Sequence, residues 1–396
     1  MDAPAATEPE PTATACEDLE RTLAASGPGA ALDRLIAVLE ERNEPRALLD
    51  ALLLKARHDL GLPLIPVGPL AELPEPARTQ YEERYIEAIR HVGRRLLAAG
   101  DIPAAWPYFR AIAESQPVAE AIEAYRPDED EDGERLGQVI EVAFNQGAHP
   151  RKGWELILDH YGTCSAITAY EHLPSDEATR AACADRLVRH LHEQLVTSLR
   201  GEIARRGQPL PPEGAPIPVL LAGRKWLFDE DAYHIDVSHL AAVVRLSPLL
   251  ADPATIALAV ELTDYGRHLS SRHRYEGDPP FERLYEDHAV YLRALLGQGV
   301  DAAIAHFRAK LGPADRENPY RDAMPAQVLI RLLVRLGRFD EAIDLAAEHL
   351  AGLPESALAC PSVAQLCQRA GHLERLAQIS RERGHLVDYM AALLSK

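Results

Sequence analysis

The chain has 396 residues, enough for two or three ordinary domains or one extended repeat array, and either buries a sizeable core. Lys and Arg number 42 against 61 Asp and Glu, a formal net charge of −19, which argues against a nucleic-acid or anionic-membrane partner because both are held by cations. The five cysteines (Cys16, Cys164, Cys183, Cys360, Cys367) are odd in number and contain no C-x-x-C pair, so neither a disulfide framework nor a zinc ribbon is indicated, and a reducing, cytoplasmic setting is expected.

Residues 1–16 are acidic and rich in Pro, Ala and Thr, with no basic region leading into an apolar core. They are expected to be a disordered tail rather than a signal peptide or anchor. From 17 to 127 apolar residues recur at i, i+3, i+4 and i+7, the period of helices packed on one face. "ALDRLIAVLEERNEPRALLDALLLKARHDLGL" reads as one helical pair, "GLPLIPVGPLAELPEPA" as a break, and "AAGDIPAAWPYFRAIAESQP" as a second helix introduced by Gly100, with Ile102, Ala105 and Phe109 inward and Pro117 beyond its end.

The region 128–206 is expected to hold further helical pairs. It opens on the acidic run Asp128 to Asp132, read as a solvated loop because repeated carboxylates repel unless a cation is bound. In "AHPRKGWELILDHYGTCSAIT", Pro150 suits a first helical position after His149, Gly153 allows close packing, Trp154, Ile157, Leu158 and Tyr161 form a buried stripe, and Gly162 ends the helix. Asp159, His160 and Cys164 then gather at that C-terminal end. A long helix is expected from Asp176 to Arg205.

Residues 207–235 begin with the Pro-rich "RRGQPLPPEGAPIPV". The alternating apolar character of "VLLAGRKWLFDEDAYHI" around a Gly-Arg turn predicts a short β-hairpin inserted in the helical array. From 236 to 396 the helical period returns. Asp236 is placed to cap a helix beginning at Val237, and Phe281, Tyr285, His288, Leu292 and Leu295 form a stripe. Three segments then repeat the Gly100 pattern. They carry Gly299, Val300, Ala303, Phe307 and Pro313; Gly337, Phe339, Ala342, Leu345, Ala346 and Pro354; and Gly371, which follows Gly337 by 34 positions.

These four segments resemble the second helix of tetratricopeptide (TPR) repeats: a turn glycine, a large apolar residue after it, a small residue where helices cross, an aromatic or small residue beyond, and a terminal proline. The resemblance is good over 85–117 and 281–394. It lacks convincing first-helix Trp and Leu-Gly positions, so it carries architecture and no peptide-binding subclass. It implies an all-α superhelix whose concave groove binds a protein or peptide partner.

A second reading competes with this interaction module. "DAYHIDVSHL" sets His234, Asp236 and His239 in a His-x-Asp-x-x-His pattern that suits a divalent metal ion. Around such an ion His160, Asp159 or His288 is expected as further ligand or general base, Tyr233 as hydrogen-bond donor, and His239 and His288 as facing one cavity. Cys164 is a weaker nucleophile candidate beside His160. Arg267, Arg272, His273 and Arg274 make a local basic patch. No Walker A loop, G-x-G-x-x-G, G-x-S-x-G, H-E-x-x-H or EF-hand pattern is present, so nucleotide, serine-hydrolase and zincin chemistry has no support in the sequence.

Overall fold

A computed structural model describes residues 11–66, 68, 73–127, 133–174, 176–312, 323–350 and 353–395, with side chains from residue 14. The acidic run at 128–132 and Pro313 lie outside the described residues. Among those described, every regular element is helical and no strand occurs. The chain divides into two compact units, Met1–Leu156 and Ile157–Lys396.

The first unit holds α1 (Pro11–Glu41), α2 (Pro45–Asp59), α3 (Ala77–Ala98), α4 (Ile102–Ala111), α5 (Gln116–Ala124), α6 (Gly133–Ile140) and the start of α7 (Pro150–Tyr170). Helix α1 begins inside the stretch expected to be a disordered tail and breaks at Gly27 ahead of Pro28. Ile102, Ala105 and Phe109 of α4 are buried as their spacing requires, and Gly93 on α3 admits the Phe109 ring: a Cβ there would stand 2.7 Å from it. Helix α6 runs into a π-helical turn, Glu141–Asn145, against which α7 packs so closely at Gly153 that a Cβ would lie 2.7 Å from the Phe144 backbone nitrogen. Trp154 is fully buried. Tyr161 is not: it is 51 % exposed, because the buried stripe stops at Leu158, one turn short of the break that Gly162 makes in α7.

The second unit continues with α8 (Glu177–Arg205), α9 (Ile217–Leu221), α10 (Val237–Leu246), α11 (Pro253–Gly266), α12 (Leu284–Leu295), α13 (Val300–Arg308), α14 (Ala323–Arg335), α15 (Phe339–His349), α16 (Val363–Ala370), α17 (Leu373–Arg383) and α18 (Leu386–Leu394). Asp176 caps α8 by accepting from the Thr179 N–H at 2.8 Å. The expected hairpin is absent. Residues 217–221 form α9 and Lys225–Asp231 a 3-10 turn, because Pro218 favours a first helical turn and Ile217, Leu220 and Leu221 bury at helical spacing.

From α12 onward each helix packs on the next. The turn glycines sit between helices, and Gly100, Gly299, Gly337 and Gly371 all hold the left-handed backbone, φ between 63° and 77°. Residues with a Cβ adopt that region at a penalty, which explains why glycine recurs there. Phe307, Leu333, Ala342, Ala346 and Leu366 are fully buried in the core these pairs share.

Candidate functional site

The segment that looked most site-like is bonded internally. Asp236 caps α10: its Oδ1 accepts from the Ser238 N–H at 2.8 Å, the His239 N–H at 3.2 Å and the Ser238 hydroxyl, and the hydroxyl chiefly holds its carboxyl below the usual range. His234 turns to the buried Tyr265, whose Oη accepts from the His234 N–H at 2.8 Å and lies 3.2 Å from its Nδ1. Burial lowers the His234 pKa and raises that of Tyr265, so both stay neutral. His239 is half-buried on α10 and Tyr233 is exposed, its ring edge-on to His273 at 5.1 Å. Among the described residues no group of three His, Cys, Asp or Glu side chains is placed to hold a metal ion.

The other expected residues lie apart from this segment. Asp159 pairs with Arg186 at 2.9 Å, and His160 and Cys164 are exposed. His288 does not share an open cavity with His239. It is 2 % exposed, stacked on Phe281 at 4.0 Å, and its Nδ1 lies 2.7 Å from the Leu284 carbonyl, where it donates. Burial holds its pKa down to about 4, as expected of a neutral core imidazole.

Next to it stands a cluster the sequence did not signal. Asp287 is fully buried, and its carboxylate accepts from His306 Nε2 at 2.8 Å, Lys310 Nζ at 2.6 Å and the Arg283 N–H at 2.9 Å. Burial alone would raise its pKa; the bonds from Lys310, His306 and Arg283 outweigh that and leave it lowered. These contacts tie α12 to α13 around a charge satisfied on three sides, so the cluster serves as a structural clamp.

A concave feature lined by guanidinium groups lies elsewhere in this unit. A cleft of about 790 Å³ is bounded by the first turns of α8, the Pro248–Ala251 turn, α14, the 358–361 loop and α16. Its lining mixes apolar Leu249, Val334, Leu358 and Pro361 with Arg331, Arg335 and Arg369 and the single carboxylate of Glu177. Arg331 reaches Glu177 at 3.5 Å, a long contact with a largely exposed partner. Arg335 donates to the Pro248 carbonyl at 2.8 Å and to the Leu250 carbonyl, and also bonds Tyr291. Arg369 is exposed and makes no ion pair with another described residue. Gln327 fixes the loop by accepting from the Ala359 N–H. Burial pushes the Cys360 thiol up to about 12, so at neutral pH it is an apolar wall atom and not a nucleophile. The cleft can hold an anionic group against guanidinium donors with an apolar neighbour beside it.

No family model matches the chain, and neither the curated proteins nor the solved structures hold a significant match to it.

Proposed function

We propose that this chain is a helical-repeat interaction module, built of TPR-like pairs, that docks an acidic segment of a partner protein in the cleft between α8, α14 and α16. One observation carries the reading: three arginines converge on a cleft with one opposing carboxylate, in a chain whose net charge is −19. A local positive patch on an acidic protein favours anions there over the surface at large. The apolar lining favours a segment that alternates acidic and aliphatic side chains over a free inorganic anion. A cleft of about 790 Å³ takes a few such residues.

The test is a selection of random-sequence displayed peptides on the immobilised full chain, run beside an Arg331→Glu/Arg369→Glu variant with unchanged helical circular dichroism. Acid-rich, apolar-spaced peptides are expected to be enriched on the parent and lost on the variant, each reversal weakening a selected peptide by about tenfold, 1.4 kcal/mol. Enrichment without acidic bias, or the same set on both proteins, retires the reading.

A further inference from the structure

Helix α18 leaves its large apolar side chains exposed. An amphipathic helix on a protein surface turns its apolar face inward, yet α18 exposes Leu386, Val387, Met390, Leu393 and Leu394 by 41–83 %. At 100° per residue these five fall within one arc of roughly 120° centred on Met390. Asp388, the helix's one charged residue, lies outside that arc with Tyr389 and the buried Ala392, and Tyr389 receives Arg381 over its ring. The solvent-facing stripe carries no charge at all, in a chain where charged residues make up 26 %.

We propose that α18 is a self-association surface on which two copies of this chain pair, antiparallel, about a two-fold axis passing close to Met390. The stripe is symmetric about that residue. Leu386 and Leu394 stand four positions to either side of Met390, Val387 and Leu393 three. In an antiparallel pair Leu386 therefore meets the second copy's Leu394, Val387 meets its Leu393, and Met390 meets itself, which is the self-complementarity a two-fold interface requires. A second copy is also the occupant whose charge suits the stripe, since nothing charged on the outer arc is left unpaired when it is covered. Methionine at the axis packs against itself without demanding one rotamer.

The size of the stripe sets the strength. Nine residues of helix give a seam of roughly 13 Å. Such a pair buries on the order of 1,000 Å², just below the roughly 1,200–2,000 Å² of stable specific interfaces, so the dimer is concentration-dependent.

Two measurements test this on the full chain, and both are independent of the cleft. Sedimentation across a concentration series is expected to move the mass from 43.5 kDa toward twice that value, and Met390→Glu to hold it at 43.5 kDa with unchanged circular dichroism. In a Cys16→Ser/Cys164→Ser background, Met390→Cys is expected to form an intermolecular disulfide under mild oxidation. Ser395→Cys is not, because in the antiparallel pair its two sulfurs stand about 15 Å apart along the axis. A monomer at every concentration overturns the proposal, as does association unchanged by Met390→Glu, growth into open-ended oligomers, or cross-linking through Ser395→Cys in place of Met390→Cys. A monomer that binds zwitterionic lipid vesicles through the same residues overturns it too, and gives the face to a membrane.

Discussion

Asp287 and His288 are neighbours on α12, and both have lowered pKa values for opposite reasons. The carboxylate is kept charged by Lys310 and His306, whereas the imidazole is kept neutral by burial against Phe281. Acid attacks both. His288 binds a proton near pH 6.5 in the unfolded chain and only near about 4 in the folded one, so between those values the unfolded state holds more protons. Stability is present above pH 6.5 and falls as pH drops toward 4, by up to about 3 kcal/mol for this group. The depressed Asp287 adds its loss at more acidic pH, below its ordinary value. Denaturant midpoints taken between pH 7 and pH 4.5 are expected to fall in the parent, and the fall to be shallower in His288→Leu whatever that variant's stability at pH 7. An identical slope in both proteins would place the titrating group elsewhere. At this scale the sequence was legible for Asp236, because capping is a contact between residues two or three apart. It was silent on the Asp287 clamp, whose side-chain partners lie 19 and 23 positions away.

At the scale of elements, helix period and turn glycine carry most of what was readable. The left-handed backbone at Gly100, Gly299, Gly337 and Gly371 is a local property, and so a glycine between two stretches of helical period betrays it. The segment 217–231 misled because alternation over a few residues also fits a helical turn once prolines start it. Tyr161 misled because a stripe was extended to the glycine that breaks it. Gly153 is where reading and structure agree most sharply, and it yields a prediction: a methyl group there meets the Phe144 backbone nitrogen at 2.7 Å, and a backbone atom in a π-helical turn cannot swing aside as a side-chain tip does. Gly153→Ala is therefore expected to lose about 1–3 kcal/mol by overpacking, although alanine is the better helix former by about 1 kcal/mol. Thermal or denaturant unfolding reads the sign directly. A stabilised variant would mean that α7 and the π turn separate at little expense.

For the whole molecule, the cleft was not legible because its walls come from α8, the 248–251 turn, α14 and α16, segments spread from Glu177 to Arg369 that only the fold brings together. Its electrostatics depend on the entire chain. In the proposed docking, a net charge of −19 repels an acidic segment at long range, while the three arginines attract it at short range. The two act over different distances, so salt separates them. The Debye length is about 30 Å at 0.01 M, where the approaching segment senses the whole protein, and about 8 Å at 0.15 M, where it senses mainly the cleft; at 1 M it is about 3 Å and the arginines themselves are screened. The affinity of an acidic peptide is therefore expected to rise from 0.01 M to about 0.15 M salt and then fall toward 1 M, the early rise residing in the association rate. Arg369→Glu should depress the maximum without moving the low-salt limb, because one reversal changes the net charge little and the cleft much. A monotonic fall from the lowest salt upward would mean that the long-range field is already positive where the peptide arrives, and would place its docking surface away from this cleft.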